Sequence, residues 1–170
     1  MRIREATAED AASIADIQAR SWRRTHEGRL TEEQITALIE GSVLPNLRWT
    51  IEHRPDYWRM WVADADGAIV GFASTSPSTD TDVRPSDRVG EITAIHADPD
   101  RCGEGIGSAL LAHALTDLAT RADRVTLWVA EDNAPARGFF EAKGWASDGA
   151  TTVDLVGEVL VPVVRYRRAP

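Results

Sequence analysis

Hydrophobic residues recur at helical spacing in the first part of the chain. Thr7 is a suitable N-cap with Asp10 three residues later, and Ile14 and Ile17 then fall on one face of a helix that runs to about Arg24. The pattern predicts an amphipathic helix near the N-terminus.

Two more helices are predicted before the pattern changes. Thr31 and Gln34 form a capping-box pattern at the start of the second helix, and Gly41 is expected to end it. The third helix is short, covers residues 46–54, and ends before Pro55, because proline cannot continue a helix.

Alternating apolar and polar residues then predict strands. Trp58–Ala63 and Ile69–Ser74 are separated by Asp66-Gly67, a turn signal typical of a β-hairpin. Residues 77–88 are rich in Ser, Thr, Asp and Pro, which predicts an exposed loop.

The rest of the chain mixes strands and helices. A strand at 91–97, a helix at 105–121 and a strand at 125–130 form a predicted right-handed βαβ unit with parallel strands. The remaining elements are a helix and two antiparallel strands, at 134–143, 151–156 and 159–168. Together these elements predict the α/β (α+β) class.

Length and charge narrow the classes of function. The chain has 170 residues, and 19 basic against 27 acidic residues give 19 − 27 = −8, which argues against nucleic acid as a partner. A single Cys rules out an internal disulfide framework, and the length predicts one compact domain. The N-terminus lacks the apolar region of a signal peptide and no stretch reaches about 18 apolar residues, so a cytoplasmic location is expected.

Three glycines lie between the strand at 91–97 and the helix that follows. Gly103, Gly105 and Gly107 lack Cβ atoms, so backbone N–H groups there can close around an anion at the helix N-terminus. The alternative is a plain strand-to-helix turn. A Walker loop is excluded because no Gly-Lys-Ser/Thr follows, and residues 98–102 separate the strand from the helix more than a dinucleotide fingerprint allows. The segment is a candidate phosphate cradle.

A second motif follows the strand at 125–130 and reads Asn133-Ala-Pro-Ala-Arg-Gly-Phe-Phe-Glu-Ala-Lys-Gly-Trp. It resembles the Asn-x-x-Ala-x-x-Phe-Tyr-x-x-x-Gly-Phe pattern of the GCN5-related N-acetyltransferase (GNAT) superfamily. The segment Cys102–Gly107 resembles the Gln/Arg-x-x-Gly-x-Gly/Ala signature of the same family. The order of the predicted elements matches the family over nearly the whole chain.

The resemblance implies one N-acetyltransferase domain over residues 1–170, with a GNAT-like three-layer fold in which helices cover both faces of a central, mixed, twisted β-sheet. It implies direct transfer of an acetyl group from acetyl-CoA, the cosubstrate, to a primary amine of a small molecule or peptide within a ternary complex. No metal, membrane or nucleic acid is expected to take part, and a homodimer is compatible with the family. Two alternatives stay open, namely an acetyl-CoA-binding sensor or interaction module without turnover and a nucleotide-binding α/β domain.

The resemblance places the general base at Glu91, eleven residues before Cys102, where it would act through a water molecule. A base is needed because a protonated amine has no lone pair with which to attack. The alternative for Glu91 is a strand-end carboxylate that faces water. His96 lies on the opposite face of the strand by alternation, and a packed or solvent-facing side chain is the favoured interpretation for it.

Contacts to the cosubstrate are expected from three segments. Backbone groups of 95–97 would bind the pantetheine arm like an added strand, with an N–H near His96 or Ala97 polarising the thioester. Asn133 is expected to bind the same arm, to cap the following helix, or to do both. The full expected set is Ile95, His96, Ala97, Cys102, Gly103, Glu104, Gly105, Ile106, Gly107, Ser108, Asn133, Arg137 and Phe140.

Two positions depart from the family pattern. Cys102 stands where the family has Gln or Arg, and Arg101 beside it is expected to compensate; the thiol is interpreted as structural because no His partner spacing supports covalent catalysis. Phe140 stands at the position of the family's general-acid Tyr and has no proton to donate. The leaving thiolate would then take its proton from water or from another residue.

The acceptor site is expected near the N-terminal helices. Trp22, His26 and Glu27 would line it, and Asp80 and Asp82 would supply negative potential for a cationic amine. The alternative is a core tryptophan and a solvated acidic loop. An antibiotic, a polyamine, an amino acid and a protein N-terminus all stay open as acceptors.

Overall fold

The computed structural model describes residues 1–169, which form seven strands and five α-helices. The strands are β1 (Arg2–Glu5), β2 (Arg59–Ala65), β3 (Ala68–Pro77), β4 (Val89–Ala97), β5 (Arg124–Ala130), β6 (Ala146–Val156) and β7 (Val159–Arg168). The helices are α1 (Ala11–Thr25), α2 (Glu32–Leu38), α3 (Leu44–His53), α4 (Ile106–Ala119) and α5 (Ala134–Ala142).

The strands form a mixed sheet in the order β1-β2-β3-β4-β5-β7-β6. β4 and β5 pair in parallel, whereas the β1–β2, β2–β3, β5–β7 and β6–β7 pairs are antiparallel. The predicted α/β class and the parallel βαβ unit are confirmed.

The chain divides into two compact units. Unit 1 contains residues 1–75 and 94–114, and unit 2 contains residues 76–93 and everything from 115 onward. Three elements, β3, β4 and α4, therefore contribute residues to each unit.

In unit 1, helices cover both faces of the strands. One buried cluster joins α1 to β2 and β3 through Ile14, Ile17, Val62 and Phe72. Because strand residues alternate between faces, a second cluster joins α4 to the same strands through Ala63, Val70, Ala73, Ile106 and Leu110.

The turn between β2 and β3 has the predicted chemistry. Asp66 and Gly67 have φ values of 56° and 91°, so both are left-handed, as a type I′ hairpin turn requires. The hairpin is confirmed at the predicted position.

In unit 2, the first half of β4 pairs with β5, and Glu91 lies opposite Thr126. The preceding Gly90 packs closely under α4, since a Cβ at Gly90 would lie 2.6 Å from a side-chain carbon of Leu118. β7 continues the sheet on the far side of β5, with Arg165 opposite Trp128.

The predicted end of the second helix is wrong. Gly41 lies inside a π-helical segment, Ile39–Val43, that links α2 directly to α3. Glycine in a helix costs only about 1 kcal/mol relative to alanine, so continuous helical hydrogen bonding can override it. The capping box of Thr31 with Gln34 at the start of α2 is confirmed.

Two strand boundaries also differ. The sequence pattern does not predict β1, which has a single apolar residue and is fixed by pairing with β2 and by ion pairs from Arg4 to Asp10 and Asp64 at 2.7 and 2.9 Å. β6 begins at Ala146, five residues before its predicted start.

Within residues 1–169, no helix combines the length and the apolar character that a membrane crossing needs.

Candidate active site

Glu91 lies on β4, where the sequence predicted it, and it is half-buried. The Ser78 hydroxyl and the Thr79 backbone N–H lie beside its carboxylate and favour the charged form, which lowers its pKa. The Ser78 N–H in turn donates to the Val89 carbonyl at 2.8 Å. The segment that follows β3 is thus held next to the start of β4 and supplies both donors.

The ionisation of Glu91 is strongly perturbed. Burial, as the largest effect, and the negative charge of Asp80 raise the pKa of the Glu91 carboxyl to about 7, against the opposing effects of the Thr79 and Ser78 hydrogen bonds and the charge of Arg165. A carboxyl with this pKa is close to half ionised at neutral pH, which is the condition in which a general base works efficiently.

Arg165 is a buried cation on β7, only 8% exposed, and it bonds to three carboxylates. It donates to Asp80 at 2.9 Å, to Asp82 at 2.7 Å and to Asp148 at 2.9 Å. Trp128 on β5 also donates, through its indole N–H, to Asp80 at 3.0 Å.

This cluster shows how the acidic loop is held. Asp80 and Asp82 were expected to supply negative potential for a cationic amine or to belong to a solvated loop; both carboxylates are paired with Arg165, whose hydrogen bond lowers the pKa of Asp82. The sequence reasoning missed Arg165, although an arginine after the apolar run at 159–164 was the available signal.

The last residues of β4 differ in the direction of their backbone groups. The Asp98 N–H donates to the carbonyl of Val70 on β3 at 2.9 Å. Since alternate residues of a strand direct their backbone groups to the same edge, His96 also faces β3, whereas the N–H groups of Ile95 and Ala97 point to the opposite edge. Of the two N–H groups expected near the thioester, the geometry favours Ala97.

The His96 side chain is packed in unit 1, as the favoured interpretation expected. Its Nδ1 lies 2.8 Å from the Ser21 hydroxyl, and its ring stacks on Phe72 with centroids 5.1 Å apart. Burial, with a smaller effect from His26, lowers the pKa of His96 to about 4. The imidazole is therefore neutral at pH 7 and a weak base.

The glycine loop leads directly into α4. Gly103 and Gly105 have φ values of 90° and 80°, and a Cβ at either position would meet no atom within 4 Å. The first α-helical hydrogen bond runs from the Ala109 N–H to the Gly105 carbonyl at 3.0 Å, so the N–H groups of 106–108 have no acceptor within the helix. This geometry can hold an anion.

Side chains around the loop form ion pairs and hydrogen bonds with neighbouring groups. Arg101 pairs with Glu104 at 2.6 Å. Arg24 of α1 donates to the Pro99 carbonyl at 2.8 Å and lies 3.8 Å from the Cys102 sulfur. The Cys102 thiol is free and exposed, so it does not support the fold by burial.

The N-terminus of α5 is capped as predicted. The Asn133 side chain accepts from the Ala136 N–H at 3.2 Å. Arg137 donates to the Tyr166 hydroxyl at 3.1 Å and to the Glu131 carbonyl at 2.8 Å, and its interactions with Tyr166 raise the pKa of its guanidinium.

Phe140 is a core residue of unit 2, only 5% exposed. Its ring lies 5.2 Å from that of Phe139, 6.0 Å from Trp145 and 6.5 Å from Tyr166. The structure packs the Phe140 ring in this core, and its expected contact with the cosubstrate stays a prediction.

The expected acceptor residues differ in accessibility. Glu27 is exposed, Trp22 is half-buried and His26 is only 5% exposed. His26 follows the last turn of α1, where its N–H donates to the Trp22 carbonyl at 2.8 Å. Because the His26 side chain is buried, it does not fit the expected role of lining an acceptor pocket.

Over residues 1–169 there is no group of three His, Cys, Asp or Glu side chains that could hold a metal ion.

Comparison with known proteins decides the family. The family model described as "Acetyltransferase (GNAT) family" matches residues 12–145. The chain belongs to the GNAT family. It is accordingly an acyltransferase of the N-acetyltransferase type with acetyl-CoA as its cosubstrate, which confirms the resemblance carried by the two motifs.

Relatives of this GNAT protein include a probable N-acetyltransferase of Mycobacterium tuberculosis, which is 34% identical over 98% of this chain and 92% of its own length. A mycothiol acetyltransferase of Kineococcus radiotolerans is 39% identical over 86% of this chain, which spans only 42% of that protein. Among solved structures, the PaiA N-acetyltransferase of Thermoplasma acidophilum in complex with coenzyme A has a TM-score of 0.71 at 18% identity over 99% of this chain and 98% of its own. That structural likeness confirms the fold.

Proposed function

We propose that this GNAT protein transfers the acetyl group of acetyl-CoA directly to a primary amine of a small molecule or peptide, with Glu91 as the general base in a ternary complex. The observation that carries the proposal is the Glu91 carboxyl itself, which is half-buried on β4, lies beside the donors of Ser78 and Thr79, and has its pKa raised to about 7. The family match to residues 12–145 includes parts of both units, which supports one N-acetyltransferase domain over residues 1–170.

The chemistry explains why such a base is needed. A primary amine with a pKa near that of lysine, about 10.4, is almost fully protonated at pH 7 and cannot attack a carbonyl carbon. Glu91 can accept that proton, directly or through a water molecule, when its own carboxyl is ionised. A carboxyl with an ordinary pKa would be ionised at pH 7 but would be a much weaker base.

The glycine loop fits the pyrophosphate of acetyl-CoA. Two left-handed glycines, 103 and 105, leave open space where side chains would stand, and the free N–H groups of 106–108 suit an anion. We assign the whole segment from Cys102 to Ser108 to this contact. The N–H of Ala97 is assigned to the thioester carbonyl, and the backbone of Ile95 and His96 and the side chains of Asn133 and Arg137 to the rest of the cosubstrate.

Direct transfer is favoured over an acyl-cysteine route. The neighbour of the Cys102 sulfur is the Arg24 guanidinium, which cannot act as a general base. With Phe140 in the tyrosine position, the leaving thiolate takes its proton from water, which is feasible because a thiol pKa near 8.5 makes the thiolate a fairly stable anion.

The test is acceptor-dependent release of CoA. Purified protein is incubated with acetyl-CoA and a panel of primary amines that includes a polyamine, free amino acids, an aminoglycoside and peptides with free N-termini. CoA is measured with a thiol reagent and the acetylated product by mass spectrometry. We expect at least one amine to raise CoA release above background hydrolysis and to gain one acetyl group. Binding of CoA without release on any amine would instead identify an acetyl-CoA-binding module.

A further inference from the structure

A cluster of one buried arginine and three aspartates lies beside the Glu91 donors. Arg165 donates through Nη1 to Asp80 and Asp82, through Nη2 to Asp82 and through Nε to Asp148, at 2.7 to 2.9 Å. Surface ion pairs contribute little, but this guanidinium is 8% exposed and uses its planar fork on several carboxylates at once. Such an arrangement fixes the positions of the three carboxylates relative to Arg165.

Asp80 is the member of the cluster that connects it to the candidate site. Both of its oxygens are engaged, Oδ1 by the Trp128 indole at 3.0 Å and Oδ2 by Arg165 at 2.9 Å. Trp128 and Arg165 face each other across the β5–β7 pair, and the guanidinium lies 5.6 Å from the indole ring. Two paired strands therefore hold Asp80 in place.

The residues just before Asp80, Ser78 and Thr79, are the ones whose donors act on Glu91. The Asp80 N–H donates to the Ser78 hydroxyl oxygen at 3.3 Å, and the Ser78 N–H donates to the Val89 carbonyl at 2.8 Å. The segment 78–80 is thereby fixed at β4 on one side and at Arg165 on the other.

We propose that Arg165 is a positioning residue for catalysis: through its ion pair with Asp80 it holds the Ser78 hydroxyl and the Thr79 N–H against the Glu91 carboxylate. The inference rests on the proposed function, in which Glu91 is the base. It assigns to β7, which lies far along the chain from β4, a part in orienting that base.

The charges of the pair act on Glu91 in opposite directions. Asp80 raises the pKa of the Glu91 carboxyl and Arg165 lowers it, while the uncharged Ser78 and Thr79 donors also lower it. Of these two charges, that of Asp80 has the larger effect, so the pair as a whole opposes ionisation of Glu91.

The decisive experiment is a ¹³C NMR titration of the Glu91 carboxyl, assigned by the signal lost in Glu91→Gln. Asp80→Asn keeps the shape of the side chain and removes its charge, so the midpoint should move from near 7 to lower pH by about half a unit or more. Asp82→Asn is the matched control, since it also removes a carboxylate from Arg165 but is not among the groups that set the Glu91 charge. Its midpoint should match wild type.

Arg165→Lys tests the positioning itself. Lysine presents its three donors from one nitrogen atom and cannot occupy the separate positions of Nε, Nη1 and Nη2 of Arg165. The segment 78–80 should therefore loosen and kcat/KM should fall about ten- to hundredfold, with the Kd for CoA unchanged. If this variant fails to fold, Asp80→Asn replaces it: the substitution breaks the same ion pair, so kcat/KM should fall likewise with the Kd for CoA unchanged.

The two possible failures are distinguishable. A wild-type kcat/KM in Arg165→Lys, or in Asp80→Asn where it replaces that variant, together with an inactive Glu91→Gln enzyme, overturns the positioning role and leaves Glu91 as the base. A fully active Glu91→Gln enzyme overturns the proposed function, whatever the titrations show.

Discussion

At the scale of single residues, Glu91 carries the conflict between stability and chemistry. Partial burial and the nearby charge of Asp80 favour the neutral form of its carboxyl. A folded-state pKa raised from 4.5 to about 7 means that the folded protein binds this proton more tightly than the unfolded chain. The stabilisation from that proton is complete below pH 4.5 and is lost as pH rises through 7.

We therefore predict that Glu91→Gln stabilises the protein at alkaline pH. The amide is uncharged at every pH and keeps one oxygen that can accept a hydrogen bond, so the gain over wild type should be absent near pH 4.5 and reach at most about 3 kcal/mol above pH 7. Thermal melts from pH 5 to 9 measure it, with the exposed Glu158→Gln as the control. Equal melting temperatures of Glu91→Gln and wild type at pH 8 would show that ionised Glu91 carries no such cost.

The environment of Glu91 shows what the sequence can and cannot predict about a site. The position proposed for the base comes from the family resemblance, and it lies eleven residues before Cys102 on one continuous segment. The pairing of Asp80 with Arg165 joins residues 85 positions apart, and no periodicity or local motif connects them. Long-range ion pairs depend on the strand order, so they appear only in the folded structure.

At the scale of elements, the glycine loop combines a left-handed backbone conformation with open space around it. Gly103 and Gly105 are left-handed, which costs an L-residue with a side chain about 1–3 kcal/mol, but no neighbouring atom would clash with a Cβ there. A substitution at this loop should remove ligand contacts more than it disturbs packing.

Gly105→Val should abolish stabilisation by CoA while leaving the protein folded. Wild type should gain about 2.7 kcal/mol at a CoA concentration a hundredfold above Kd, measured as a thermal shift. Gly144→Val is a matched control, because Gly144 has the same φ of 80° and the same open surroundings after α5. It should melt lower, like Gly105→Val, but keep the CoA shift. A full shift in Gly105→Val would place the cosubstrate elsewhere.

Most elements were predictable because their signals are local. The capping box at Thr31, the turn at Asp66 and Gly67, and the parallel β4–β5 pair all appear as expected. The helix end predicted at Gly41 is wrong because glycine disfavours a helix only weakly. The strand β1 was not predicted because its stability comes from pairing with β2. Tertiary contacts override local preference at these points.

At the scale of the whole molecule, two motifs that are separated along the chain point to the family without any knowledge of tertiary contacts. Along the chain the glycine segment comes before β5 and the Asn133 segment after it, and the family match over residues 12–145 confirms that their combination was informative. The class of enzyme and the cosubstrate follow from the family. The acceptor does not, since its recognition depends on side chains that vary within one fold.

The measurement that tests the central claim most directly is the pH dependence of kcat/KM for wild type and Glu91→Gln with the same amine. Wild type should rise tenfold per pH unit below about 7 and level off above it, as Glu91 ionises. Glu91→Gln should be slower by about 10²- to 10⁴-fold near neutral pH and keep rising beyond pH 7, because it depends on free amine. A Glu91→Gln enzyme with the wild-type rate and the wild-type break near pH 7 would contradict the assignment of Glu91 as the base.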